Sequence, residues 1–203
     1  MALIDGTIAE QAYEVVRERI GLILATELES QVTAFGNYEA DAEVWIERLI
    51  PFGNDEMPAI NVQLAQGTFD NQTVKQTDGT YTFHIDVHQS AKTIGKEKVE
   101  QADYLALIKL QRKLGLCRAI ISDARYVTLN FARPFIMYRS IKSMNIANRD
   151  AQDVTMSVWG RLALEVRVPE VVNLLNLTDL ALYETSVKLF ETDQGYVFRT
   201  NVV

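Results

Sequence analysis

The sequence predicts an α+β fold: a mostly antiparallel β-sheet with two main α-helices packed on one face, plus a C-terminal β-hairpin-like extension. Three observations predict it. Two long segments repeat apolar residues at helical spacing, several others alternate apolar and polar residues, and the order helix, three strands, helix, two strands is not the relay of a parallel βαβ protein. With 203 residues, 48% apolar and 23% charged, the chain has the size and composition of a soluble globular protein rather than a disordered one.

The first helix opens at Thr7, which forms a capping box with Glu10, and Ile8, Ala12, Val15, Val16, Leu22 and Ile23 recur along one face. Glu10, Glu14 and Glu18 form an i, i+4 row that reads as a solvated acidic face. Glu43 to Ile50 alternates, with Val44, Ile46 and Ile50 on one side, and reads as a strand ending at Pro51; Ala59 to Leu64 is a second strand. Thr77-Asp78-Gly79-Thr80 carries the strongest turn signal, because Asp-Gly suits the positive φ values of a tight hairpin, and a strand from Tyr81 to Gln89 follows it.

Helical spacing returns from Lys96 to Leu114, with Val99, Ala102, Ala106, Leu107, Leu110 and Leu114 on one face and Gly115 as the C-cap. Leu105 and Ile108 fall outside that face as a second apolar patch. FIMYRSIKSM is strand-like, a turn lies between Asn145 and Asp153, and Val154 to Val168 is a long alternating strand. Its Val158, Gly160, Leu162, Leu164, Val166 and Val168 oppose Trp159, Arg161, Glu165 and Arg167. Beyond Pro169 come an apolar run from Val171 to Leu182 and a hairpin, VKLFETDQGYVFR, turning at Asp193-Gln194-Gly195. The organisation is therefore an α+β domain over 1–168 and an extension over 169–203.

A formal charge of -7 argues against a protein that works by coating phosphate backbones. Cys117 is the only cysteine, so no intrachain disulfide exists and a reducing compartment is expected. No secretory signal and no apolar stretch of about 20 residues is visible, which points to a chain made in a cytoplasm without a membrane partner. His84, Asp86 and His88, including the only two histidines, form an H-x-D-x-H string of the residue types a catalytic metal uses. On a strand, however, the two histidine Cα atoms stand about 13 Å apart at roughly 3.3 Å per residue. Nitrogens sharing one zinc are only ~3–4 Å apart. A polar sheet face is the better reading, and a small metal-dependent hydrolase or oxygenase on this strand is the rival.

Cys117, within LGLCRAII, reads as a small buried hydrophobe rather than a nucleophile. Lys109, Arg112, Lys113 and Arg118, near the end of the middle helix, read as complements of the helix dipole. No nucleophile elbow and no phosphate-cradling glycine loop occurs. No catalytic residue, cofactor or metal ligand is therefore assigned, and no enzymatic activity is expected.

One family collects these pieces. An amphipathic first helix precedes VWIER from Val44 and PAINV from Pro58; YTFHIDVHQSAK, the helix EQADYLALIKLQRKLG and the closing VWGRLALEVRV follow. This order, over about residues 8 to 168, resembles the tail terminator (tail completion) proteins of long-tailed bacteriophages and prophages. The resemblance implies a non-enzymatic virion protein, assembled in the host bacterial cytoplasm. It would form a homohexameric ring that caps the tail tube protein, stops its polymerisation and joins it to the head–tail connector protein, without sequence-specific nucleic acid binding. Leu105, Ile108, His84 and His88 are then candidate subunit contacts. A head–tail connector or neck adaptor is the nearest alternative. The polar Gly67 to Thr80 segment and the tail from about Glu170 depart from the family pattern.

Overall fold

A computed structural model describes residues 10–53, 55–73, 76–91, 99–132, 135–148, 156–170, 185–192 and 195–202. Helix α1 (Ala12–Phe35) starts where the Glu14 carboxylate accepts the Gln11 N–H at 2.7 Å. A capping box of Gln11 and Glu14 opens it; the box expected from Thr7, and Ile8 with it, lies outside the described residues. The helix ends in the left-handed Gly36 (φ 63°), where the Gly36 and Asn37 N–H groups reach back to Val32 and Gln31. Its buried face is Val16, Ile20, Ile23, Leu24 and Leu28, one step round from the expected face, and Leu22 points outward.

Strands β1 (Glu43–Ile46), β2 (Ala59–Thr73), β3 (Gln76–Ala91), β4 (Tyr138–Asn148) and β5 (Met156–Glu170) form one sheet in the order β1-β2-β3-β5-β4. All neighbours are antiparallel except β1 and β2, which run parallel. The α+β expectation holds. The strand expected to run to Ile50 stops at Ile46, because Glu47 is left-handed (φ 51°) and turns the chain off the sheet edge. A non-glycine residue there costs on the order of 1 kcal/mol or more and needs anchors. Glu47 has three: its N–H donates to the Val62 carbonyl at 3.0 Å, and its carboxylate accepts from the Leu64 N–H at 2.7 Å and from Arg17 at 3.2 Å.

The turn expected at residues 77–80 is not a turn. Asp78 and Gly79 lie inside β3, paired with Asp70 and Phe69 of β2, so the polar segment from Gly67 is the far end of one long hairpin. The Arg167 guanidinium donates to the fully buried Asp78 at 2.9 Å, and a Cβ on Gly79 would stand 2.7 Å from the Tyr81 ring and from the Glu170 carboxylate. Packing, not turn geometry, selects Asp-Gly here.

Helix α2 (Val99–Ser122) runs through Gly115, which is exposed and caps nothing. The extra turns bury Cys117, Ile120 and Ile121 in line with Ala106, Leu110 and Leu114. Both helices lie on the face that carries Tyr81, Phe83, Ile85 and Val87 of β3 and Val158, Leu162, Leu164, Val166 and Val168 of β5, and together these residues form one core. α1 packs on β1 and β2, and α2 on β3 and β5. α2 lies close over Gly160, where a Cβ would stand 2.5 Å from Leu114 Cδ1.

Residues Glu10–Val171 make one compact unit. Strands β6 (Thr185–Thr192) and β7 (Gly195–Val202) belong to a second and pair antiparallel, Thr192 opposite Gly195, as the hairpin pattern predicts. The apolar run from Val171 to Leu182, the tip at Asp193-Gln194 and most of the turn before Val154 lie outside the described residues.

Gly160→Ala is expected to destabilise the fold by about 1–3 kcal/mol, since Leu114 must shift to admit the methyl group. Adding Leu114→Ala should cost less than the sum of the two single changes. Urea denaturation of the four chains measures both effects.

Candidate functional site

The sheet face turned away from the helices carries the polar side chains of β3. There the H-x-D-x-H string is occupied from within the chain. Asp86, only 5% exposed, accepts Arg161 Nε at 2.6 Å, Arg161 Nη2 at 2.7 Å and Gln63 Nε2 at 2.9 Å. The fork is bidentate, so both carboxylate oxygens are committed to a cation that stays charged. His88 lies between Phe52 (ring centroids 4.8 Å) and Trp159 (6.4 Å, nearly parallel), and the Arg161 guanidinium sits 5.2 Å over Trp159. His84 is half-buried; desolvation, with the nearby Arg161 charge, pulls its pKa below the ordinary imidazole value. Among the described residues, no three His, Cys, Asp or Glu side chains gather as a metal site.

The basic cluster is dispersed along the continuing helix rather than gathered at its end. Arg112 pairs with Glu39 at 2.7 Å, Arg118 is exposed, and Lys113 is only 3% exposed with its ammonium donating to the Asp41 carbonyl. Burial lowers the Lys113 pKa to about 8. Cys117 is buried and its thiol is pushed up to about 12 by that burial, so it is protonated at neutral pH and packs as a hydrophobe.

Of the four candidate contact residues, Leu105 is exposed beside the exposed Tyr104, Ile108 and His84 are half-buried, and His88 is held between two rings of its own chain. Sequence reasoning missed two larger surfaces, one at each edge of the sheet. At the β1 edge, residues 47–53 form a prong braced by Glu56. The Asn61 side chain, buried beneath it, pairs with both backbone groups of Arg48, at 3.1 and 3.0 Å. The Arg48 guanidinium stacks on Trp45 (4.6 Å) and Phe52 (4.3 Å) and forks onto Glu56 at 2.7 and 2.8 Å. This framework holds Leu49 and Ile50 at 86% and 74% exposure.

At the opposite edge, no helix covers β4 among the described residues. A cavity of about 670 Å³ opens between the C-terminal half of α2 and β4, floored by Ile121, Ile141, Met144 and Leu164 and rimmed by Arg118 and Lys142. Met137, Tyr138, Met144 and Ile146 are exposed along this strand. The signal was available: residues 124–149 carry five basic residues and no acid, whereas residues 39–56 carry six acids and one arginine. Among the described residues no helix is long and apolar enough to cross a membrane. No protein-family model matches the chain, and no curated protein matches it in sequence.

Two outcomes follow. Asp86→Ala strands the partly buried Arg161 and is expected to cost about 2–3 kcal/mol, with Arg161→Met in the same chain recovering most of it; thermal melts of the single and double variants read this. Lys113 binds its proton more weakly in the folded protein (about 8) than as a solvated side chain in the unfolded chain (10.5), so the unfolded chain holds more protons between those values. Its contribution to stability therefore rises with pH across that window. Urea titrations at pH 7.5 and 10 should show a rise that Lys113→Met reduces.

Proposed function

We propose that the protein is a non-enzymatic virion structural protein of the tail-terminator type, self-associating into a ring that caps a phage tail tube and joins it to the head connector. The observation that carries the reading is the pairing of two unsatisfied surfaces at opposite sheet edges, the rigid Leu49–Ile50 prong and the uncovered β4 groove. Different patches on opposite sides make heterologous contacts, which close into rings when the rotation per subunit allows. The occupied polar face supports a non-enzymatic role, since Asp86 is engaged by Arg161 and His88 by aromatic rings. In this reading the chain assembles in the host cytoplasm and works in the virion, with tail tube and connector proteins as partners and no cofactor.

Light scattering across concentration, with electron microscopy of the particles, should give closed rings of about six subunits. Adding the protein to polymerising tail tubes should shorten them. A strict monomer that leaves tube length unchanged would sink the reading.

A further inference from the structure

The β4 groove needs an occupant. Its floor is apolar and continuous with the core, as Ile141 and Met144 stand opposite the buried Leu164 and Leu162 of β5. Its rim carries the exposed Arg118 on α2 and the half-buried Arg139, which donates to the Asp123 carbonyl at 2.9 Å; Lys142, on the same rim, is paired with Glu165 at 2.8 Å. An occupant must therefore offer protruding apolar side chains flanked by carboxylates.

The opposite edge of this chain has that description. Leu49 and Ile50 protrude from a prong braced by Arg48 and Asn61, so docking them orders little that is not already ordered. Asp41, Glu43 and Asp55 are exposed on the same segment, whose charge is opposite in sign to that of residues 124–149. Complementary fields of this kind select partner and orientation, and they make association sensitive to salt.

We propose that a second copy of this chain fills the groove, its Leu49–Ile50 prong seated between α2 and β4 and its acidic flank against Arg118. This rests on the self-assembly reading above and names the contact that would build it. The contact is head-to-tail: each copy uses one edge to give and the other to receive, so growth continues until a ring closes.

Full-length Ile50→Cys and Met144→Cys chains, purified separately and reduced, are mixed at equal concentration and oxidised under mild conditions. The native Cys117 is buried and does not interfere. The mixed disulfide is expected to exceed either same-variant disulfide at least tenfold, and to fall severalfold in 1 M salt. Arg118→Glu in the Met144→Cys chain should lower the yield severalfold; Glu43→Lys with Asp55→Lys in the Ile50→Cys chain should restore most of it. Closed rings without enrichment of the mixed disulfide would overturn this contact and leave the ring standing. Monomers without enrichment would overturn both. Protection of Met144→Cys from a thiol reagent at dilutions where the chain is monomeric would mean that the chain covers its own groove, and would overturn the contact too.

Discussion

Two helices cover four strands. Strands repeat about every 4.8 Å and packed helices about every 10 Å, so a pair of helices shields roughly four strands of a five-stranded sheet. Here α1 takes β1 and β2, and α2 takes β3 and β5. The fifth strand, β4, keeps its apolar side chains beside a helix flank rather than beneath a helix. The central strands gain burial for Phe83, Ile85, Leu162 and Leu164, and the cost is an open groove at one edge. Gly160 lets α2 settle close on β5, because a Cβ there would meet Leu114. A bulkier residue there would shift the helix and reshape the groove beside it.

The other sheet face is organised by charge rather than by a layer of helices. Asp86 is nearly inaccessible to water in the middle of the central strand and is tolerable because Arg161 and Gln63 satisfy it across the two flanking strands. The same logic recurs outward. Arg167 serves Asp78 at the far end of the hairpin, and Asn61 ties down Arg48 beneath the prong. These contacts convert residues of catalytic type into structural ones, and they fix the geometry of both edges.

Much of this was legible in the residues. The alternation of Tyr81, Phe83, Ile85 and Val87 against His84, Asp86 and His88 placed β3 and its two faces correctly. The failures were local rules overruled by tertiary contacts. Asp78-Gly79 looks like a turn until Arg167 and Tyr81 are placed beside it. Gly115 looks like a cap until Cys117 and Ile121 are seen to need another helical turn in the core. Ile50 continues an alternating pattern, but Glu47 breaks the strand first, held by Arg17 and Leu64, partners distant in sequence. The two edge surfaces went unread because each is assembled from segments whose neighbourhood only the topology defines.

The two ends of the sheet are unequal, and that inequality governs how copies can aggregate. Among the described residues β4 is an edge strand of eleven residues, while β1 is four residues long and is cut off by a left-handed residue. Backbone pairing between an eleven-residue edge and a four-residue one cannot repeat as a growing sheet, which is how natural proteins blunt an edge against fibrils. Stacking of one sheet's β4 on another's β1 is thereby closed off, so the sheet has no route to open-ended growth through its two unlike edges.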